Sequence, residues 1–220
     1  RLTKDNVLTI GLESEEEKVF TSTLSLSAFG QFISTVEAHA RNNAIYIQDQ
    51  FGFNDRFFGT IGVRVDDHED FGKEVTYRIA PAYLIKETNT KLKASYATGF
   101  KAPTPFQLFG VSISAFGTFT GNPNLKPEES KGWEVGVEQS LFNHKGNIEI
   151  TYFDTEIKNL IQGGATTNSN VGRAVTRGVE LGGTIDITET IRGEANYAFT
   201  RAFNKISKAT LRSFATVIAV

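Results

Sequence analysis

The chain has 220 residues, a formal net charge of −2, 40% hydrophobic residues, 20 glycines, 18 phenylalanines and no cysteine. Acidic and basic residues are nearly balanced and no polybasic block occurs, so the charge pattern of a nucleic-acid-binding protein is excluded. The missing cysteines exclude disulfides and cysteine-based zinc sites. No segment approaches the ~18 apolar residues of a membrane-spanning helix.

Hydrophobic residues alternate with polar ones along nearly the whole chain, and this period of two is typical of β-strands with one apolar face. The pattern predicts nine strands, which are antiparallel if sequential neighbours pair. They cover residues 6–13, 44–53, 57–66, 75–86, 91–100, 133–141, 147–154, 179–187 and 191–200.

Short and long connections between these strands alternate strictly. Short turns are predicted at 54–56, 87–90, 143–146 and 188–190, and long links at 14–43, 67–74, 101–132 and 155–177. This alternation predicts that all the long links emerge at one end of the sheet.

Three features favour a membrane barrel over a soluble β-sandwich. Most of the strands reach the ~9–11 residues that a transmembrane strand needs, whereas strands of soluble proteins usually have about 5–6. Outer-membrane barrels have short turns at one end and long loops at the other, with aromatic residues at both membrane interfaces. Here the aromatic residues near strand ends are Phe53, Phe57, Tyr83, Phe100, Trp133, Tyr152 and Phe199. The predicted fold class is an all-β, antiparallel transmembrane barrel.

Nine or ten strands fit two arrangements. They could close into a small complete barrel, since such barrels start at ~8 strands, or they could form one segment of a larger barrel. An open sheet alone would leave edge backbone groups unpaired, which hydrocarbon does not tolerate.

The central stretch resembles the barrel domain of TonB-dependent outer-membrane receptors, in particular the cobalamin and siderophore receptors. The resemblance rests on Ser95-Tyr96-Ala97-Thr98-Gly99-Phe100-Lys101-Ala102-Pro103, on Gly121-Asn122-Pro123-Asn124-Leu125-Lys126-Pro127-Glu128, and on residues 130–138. It implies a barrel of about 22 strands with a plugged lumen, located in the bacterial outer membrane. It also implies uptake of a scarce chelate, cobalamin or a ferric siderophore, driven by TonB through the plug.

The sequence departs from that family pattern in three ways. It shows no plug domain, no TonB-contact segment, and at 214–220 neither the alternating strand nor the terminal aromatic residue of complete outer-membrane proteins. We therefore expect residues 1–220 to form a barrel segment without plug or closing strands.

Candidate ligand-binding residues lie in the link 101–132. Prolines keep this link out of the strand ladder, and exposed apolar clusters often mark binding sites. The candidates are Phe106, Phe109, Phe116, Phe119, Asn122 and Asn124. The alternative is that the rings pack only against each other.

Charged residues on the non-apolar face are predicted to point into a wet lumen. They are Arg64, Arg78, Lys93, Glu134, Glu138, Glu180, Arg192 and Glu194. A hydrated barrel interior is polar for structural reasons alone, and this explanation is preferred over solute steering.

A loop calcium site at Asp66, Asp67 and Asp70 is the weakest candidate. Relatives of the cobalamin receptor bind loop calcium, but the EF-hand spacing is absent and a solvated acidic turn is the simpler interpretation. No other cofactor and no catalytic motif is predicted. The alternatives to a receptor are a self-closed barrel with a structural or adhesive role and a soluble β-sandwich binding module.

Overall fold

The computed structural model describes residues 6–28, 30–205 and 210–219. These residues form fourteen strands and one short helix. In chain order the elements are β1 (Asn6–Ser27), β2 (Gly30–Phe53), β3 (Phe57–His68), β4 (Gly72–Ile85), β5 (Thr90–Lys101), α1 (Pro105–Phe109), β6 (Val111–Ser114), β7 (Gly117–Thr120), β8 (Glu128–Leu141), β9 (Gly146–Lys158), β10 (Ile161–Gly163), β11 (Asn168–Asn170), β12 (Arg173–Asp186), β13 (Arg192–Asn204) and β14 (Thr210–Ala219).

One antiparallel sheet contains every strand except the small hairpin β10–β11. Its long strands follow the order β1-β2-β3-β4-β5-β8-β9-β12-β13-β14, so sequential long strands are always neighbours. The edge strands β1 and β14 are not paired with each other over the described residues, so the sheet is an open, partial barrel. This confirms the all-β, antiparallel barrel fold.

The prediction of a loop over 14–43 was wrong. β1 and β2 pair without interruption from Asn6 opposite Phe51 to Ser27 opposite Gly30. Short polar residues and a run of acidic residues hide the alternation there, yet the backbone ladder continues. The upper part of this pair, residues 14–43, is called the projecting hairpin below.

Three other predicted connections also differ from the structure. The link 67–74 shrinks to the turn 69–71, because β3 and β4 continue to His68 and Gly72. The links 101–132 and 155–177 contain short elements of their own, α1 with β6–β7 and β10–β11. The end of the chain, expected to lack a strand, pairs with β13 as β14.

One edge of β2 serves two partners. It pairs with β3 over Asn42–Phe53 and higher up with β6 over Ile33–Thr35. The element pair β6–β7 therefore lies above the β3–β4 hairpin on the same edge of β2. The short turns of the sheet are at the opposite end, as predicted, and the larger insertions share one end.

The sheet has an apolar face and a polar face. Aliphatic and aromatic side chains of the apolar face are solvent-exposed in the isolated chain, for example Ile45, Ile61, Val75, Val135 and Ile150. Among the described residues, no helix is long and apolar enough to cross a membrane. An exposed apolar face of this kind on a sheet is the lipid-facing surface of a transmembrane barrel.

The upper limit of the apolar face shifts steadily across the sheet. It lies at Ile45 on β2 and Val75 on β4, but six residues lower in register at Tyr152 on β9 and Phe199 on β13. Six residues are about 20 Å along a strand, while the seven strand spacings from β2 to β13 are about 34 Å. The shift therefore corresponds to a strand tilt of roughly 30°, close to the ~35–45° of transmembrane barrels.

Candidate functional site

The predicted ligand-binding link forms a folded cap over the end of the sheet that carries the long insertions. The cap, residues 104–127, starts with a capping box: the Thr104 hydroxyl accepts from the Gln107 amide, and the Gln107 side chain accepts from the Thr104 amide. Pro105 at the first helical position fixes the backbone angle that α1 needs. The following strands β6–β7 then join the edge of β2.

The core of the cap is small and tightly packed. Leu108 and Leu125 are buried, at 6% and 3% exposure. At Gly121 a Cβ atom would lie 2.5 Å from the backbone of Leu108, so only glycine permits this approach of the two segments. The Gly121 amide donates to the Gly110 carbonyl at 2.7 Å. The cap is thus a fixed structure and not an open loop.

Asparagines tie the cap to the hairpin β10–β11. The Asn122 side chain donates to the Asn168 carbonyl at 3.0 Å, and that of Asn168 donates to the Gln107 carbonyl at 3.3 Å. Asn170 accepts from the Lys126 amide at 2.8 Å and donates to the Lys126 carbonyl at 2.9 Å. The cap therefore bridges from β2 on one side to β10–β11 on the other.

The predicted ligand-binding residues divide into two groups in this structure. Phe106 and Phe119 stack on each other with ring centroids 5.8 Å apart, and Asn122 is engaged within the cap, where it also accepts from the Asn124 amide at 2.9 Å. Phe109 and Phe116, by contrast, are 46% and 86% exposed. Phe106 is itself 38% exposed, so three rings of the cap reach solvent, with Phe116 the most exposed of them.

Below the cap, a cleft of about 420 Å³ opens between the projecting hairpin, β3 and the end of β5. Its charged lining residues are Glu15, Glu17, Arg41, Arg64, Asp66 and His68. At its base Arg64 donates to Glu13 at 3.0 Å and to Asp66 at 2.8 Å, and Asn42 donates to Asp66 at 2.9 Å. The arginine is thus neutralised, and the free carboxylates make the cleft slightly acidic.

Ion pairs also hold the base of the projecting hairpin. His39 Nε2 lies 2.9 Å from Glu16 Oε1, Lys18 Nζ lies 3.1 Å from it, and an Arg41 nitrogen lies 3.6 Å from it. The hydrogen bond with His39, followed by that with Lys18, lowers the pKa of Glu16 to about 2. The second His39 nitrogen faces Glu69 at 3.5 Å, which links the hairpin to the β3–β4 turn.

Comparison with known protein families identifies the family of this chain. The family model for a TonB dependent receptor-like β-barrel matches residues 12–216.

The chain belongs to the TonB-dependent receptor family.

The sequence relatives of the chain include vitamin B12 transporters. The chain is 35% identical over 153 residues to the vitamin B12 transporter BtuB of Photobacterium profundum, covering 64% of this chain and 23% of that protein. BtuB of Vibrio vulnificus is 36% identical over 150 residues, with 64% and 22% covered. The chain therefore spans about a quarter of the length of these relatives.

Solved structures agree on the fold. The copper transporter OprC superposes with a TM-score of 0.72 at 14% identity, covering 95% of this chain and 37% of the other. The siderophore receptor PirA of Acinetobacter baumannii gives 0.69 at 18% identity, with 96% and 40% covered. These identities are low, so the matches support the receptor barrel fold alone.

Within the receptor barrel, all the predicted lumenal charges lie on the polar face. Several form ion pairs or hydrogen bonds across the ladder: Lys91 with Glu138 at 3.4 Å, Arg192 with Asp186 at 3.8 Å, and Ser95 with Glu134 at 3.4 Å. Lys93 pairs with Glu149. Arg78, Glu180 and Glu194 share this face by register. For the charges that form pairs, these contacts stabilise the sheet.

The calcium candidate is not supported by the receptor's geometry. Asp66 and Asp67 are consecutive on β3 and point to opposite faces, and Asp66 is already bonded to Arg64. Over the described part of the chain, no three acidic or histidine side chains converge in a way that could hold a metal ion.

Sequence reasoning missed two groups of functional positions. Glu13 was predicted only as the last residue of a strand, although it holds Arg64, and Asn168 and Asn170 were placed in the long link 155–177. The only available signal was the run of three alternating asparagine and serine residues at 168–170, which reads equally well as a turn. These contacts span 44 to 61 residues in sequence and have no local signature.

Proposed function

We propose that the protein carrying this chain is an outer-membrane receptor that takes up cobalamin or a similar metal chelate. It binds the chelate at the face formed by the cap and the cleft below it. Transport then uses energy from TonB, acting through a plug domain. The proposal gives the chain a binding role and no catalytic one.

One observation carries the proposal: the cap holds Phe109 and Phe116 exposed on a rigid support, next to a polar cleft at the mouth of the barrel. Exposed apolar rings on a loop that is otherwise well packed are typical of a binding surface. A bulky chelate offers both apolar and polar surface, so it fits this combination. The vitamin B12 transporters among the sequence relatives agree with that ligand class.

The charge of the cleft separates the two candidate chelates. Glu15, Glu17 and Asp66 face Arg64, which is already paired, whereas Arg41 approaches Glu16 on the other face of the sheet. Like charges brought together cost free energy, so a strongly anionic ferric chelate is disfavoured. Cobalamin, or a siderophore whose iron complex is neutral or cationic, is compatible with the cleft.

Binding to the full natural protein in detergent tests the proposal. Cyanocobalamin and an anionic ferric catecholate are titrated separately by calorimetry. We expect cobalamin to bind and the double variant Phe109→Ser/Phe116→Ser to weaken its binding about tenfold or more, since burying a phenylalanine contributes about 1.5–3 kcal/mol.

Phe142→Ser is the matched control, because Phe142 is equally exposed, at 67%, but lies at the opposite end of the sheet. Its affinity should match that of the unmodified protein. If the double variant bound cobalamin as tightly as the unmodified protein does, the cap would not be part of the binding site. Tight binding of the anionic catecholate instead would overturn the ligand assignment.

A further inference from the structure

The strands β4 and β5 separate at the end of the sheet that carries the cap. Their ladder ends at Arg78 opposite Ala97, whereas β4 stays paired with β3 and β5 stays paired with β8 as far as these strands extend. The wall therefore has an opening between residues 72–77 and 98–101, which we call the side slit. Both strands are inner strands of the sheet, so a further strand of a larger barrel cannot fill the slit.

A threonine side chain replaces the ladder at the lower end of the side slit. The Tyr77 amide donates to the Thr98 hydroxyl at 3.0 Å. A regular antiparallel ladder would satisfy this amide with the Thr98 carbonyl, so the side chain holds the two backbones apart. Because amides point alternately to the two neighbours of a strand, those of Val75 and Phe100 also face the slit. Among the described residues, the ladder gives these two amides no partner.

The upper end of β5 is bound to β8 and not to β4. Gly99 packs so closely on β8 that a Cβ atom would lie 2.6 Å from the Ser130 hydroxyl oxygen. Lys101 lies 3.4 Å from Glu128 on the same strand. Glu74, which a continued ladder would place opposite Lys101, makes no ion pair within the described residues. These contacts keep the side slit open.

The side slit connects two cavities. The lumenal cleft of about 420 Å³ and an outer cleft of about 180 Å³ are both lined by Thr76, Gly99 and Phe100. The outer cleft is lined by residues from both faces of the sheet, Glu74 and Thr76 from the polar face and Val75 and Phe100 from the apolar one. The slit therefore passes through the wall of the barrel.

The side slit lies at a level where water reaches the backbone. Val75 marks the upper limit of the apolar face on β4, so the slit opens at this boundary and extends away from the lipid. Unpaired backbone groups are not tolerated in hydrocarbon but are satisfied by water. The outer rim of the slit is charged and includes Glu129, Lys131, Glu156 and Lys158. Such a lining favours water and small hydrophilic solutes over acyl chains.

We propose that the side slit is a passage for water and small hydrophilic solutes between the outer surface and the binding cleft. Its outer cleft of about 180 Å³ holds several water molecules, which occupy about 30 Å³ each in the liquid. Pockets for drug-sized ligands have about 300–1,000 Å³, so the slit excludes a bulky chelate. Water that an entering chelate displaces from the cleft leaves by this route. The inference rests on the proposed function, which places the chelate over the mouth of the cleft.

The first measurement examines the side slit without a ligand. Amide hydrogen exchange is followed at single residues of the full natural protein in detergent. We expect Val75 and Phe100 to exchange at least about tenfold faster than Ile79 and Tyr96, which form a ladder pair just below the slit. Equal protection at all four positions would overturn the inference, because the wall would be closed there.

The second measurement follows passage by labelling an introduced cysteine. Thr76→Cys lies in the side slit, whereas Ala40→Cys is the matched control, since it lines the same cleft away from the slit. Each variant reacts with a small hydrophilic thiosulfonate, with and without saturating cyanocobalamin, and mass spectrometry of the peptide measures the rate. We expect cobalamin to slow labelling of Ala40→Cys at least about tenfold and that of Thr76→Cys by less than about twofold.

Filling the side slit should remove this difference. With Thr98→Trp added, cobalamin should protect Thr76→Cys as strongly as Ala40→Cys. Leu92→Trp is the control, because Leu92 is also on the outer face of β5 but lies where the ladder with β4 is intact. It should leave the labelling of Thr76→Cys unchanged.

Two results would overturn the passage: full protection of Thr76→Cys by cobalamin without the tryptophan, or unchanged labelling after Thr98→Trp. Labelling of Ala40→Cys that cobalamin does not slow would instead contradict the proposed function. Hydrogen exchange would then still confirm or overturn the side slit by itself, because that measurement needs no ligand.

Discussion

The cap and the projecting hairpin lie side by side above the barrel segment but are held together in different ways. The cap has only the short elements α1, β6 and β7 and depends on tertiary contacts: buried Leu108 and Leu125, and asparagine bonds to β10–β11. The hairpin is a continuous ladder of backbone pairs, with Val36 as its one buried apolar side chain among the described residues. The cap joins the hairpin where β6 pairs with β2.

This difference separates two ways in which a receptor can build structure outside the membrane. A ladder needs only neighbouring backbone, so it tolerates polar and charged side chains along its length. A cap needs a few specific side chains in specific places, so single substitutions should open it. The cap is therefore the sensitive region and the hairpin the tolerant one.

The largest effect that distinguishes the two regions is expected for Leu125→Ala. Leu125 is 3% exposed, and removing a buried leucine side chain costs about 2–5 kcal/mol. The cap should open locally while the strands remain paired. Amide hydrogen exchange over residues 104–127 measures this opening as a large loss of protection.

Leu26→Ala is the control in the hairpin, where Leu26 is 73% exposed. It should leave exchange in both regions unchanged, since surface substitutions usually alter stability by less than about 0.5 kcal/mol. If Leu125→Ala left protection of the cap intact, the cap would not depend on its small core.

A smaller effect is expected for Asn170→Ala. The Asn170 side chain makes three hydrogen bonds to backbone, two with Lys126 and one with the Asn159 carbonyl at 2.7 Å. Leaving such groups unpaired costs about 1–3 kcal/mol. We expect faster proteolysis at the junction of the cap with β10–β11. Mass spectrometry of the fragments measures the rate of cleavage there.

Asn124→Ala removes an amide of the same kind from the same cap. The Asn124 side chain makes no hydrogen bond within the described residues, and only its backbone amide is engaged. Proteolysis should therefore stay at the level of the unmodified protein. Equal rates for both variants would show that the asparagine contacts do not anchor the cap.

The sequence predicted the sheet far better than the structures above it. Alternation at 57–66 or 133–141 records directly which face of each strand meets lipid, so the barrel fold and its polar face followed from local pattern. In the projecting hairpin neither face is buried in lipid, and the alternation fades although the ladder persists. The hydrophobic alternation therefore ends at the base of the projecting hairpin, whereas the strands β1 and β2 continue beyond it.

The sequence predicted the link that contains the cap as a candidate ligand-binding region, but it did not predict how the cap folds. Its prolines and glycines mark it as irregular, yet the roles of Gly121 and Asn122 depend on segments far along the chain. The same limit explains why the sequence could not show that Asn122, a predicted ligand contact, also bonds within the cap. The 86% exposure of Phe116 and the stacking of Phe106 on Phe119 are likewise invisible in sequence, because each ring is an aromatic residue in a proline-rich link.

The smallest effect concerns pH and the hairpin alone. The cap has neutral contacts, whereas the hairpin base depends on the Glu16 carboxylate, whose pKa is lowered to about 2 from the ~4.3 of an ordinary glutamate. A lowered pKa means that the stability contributed by ionisation of the Glu16 carboxyl group is present above about pH 4.3 and is lost as the pH falls through about 2. Acid should therefore loosen the base of the hairpin and leave the cap intact.

Carbon-13 NMR of the Glu16 carboxyl group measures this directly, with Glu16→Gln used to assign the signal. In His39→Ala the titration midpoint should rise toward that of an ordinary glutamate, because the hydrogen bond with His39 is the main cause of the shift. Pepsin digestion at pH 2 should then cleave the hairpin of this variant sooner than its cap. If Glu16 of the unmodified protein titrated with a midpoint near pH 4.3, the contacts of its carboxylate would not stabilise the base of the hairpin.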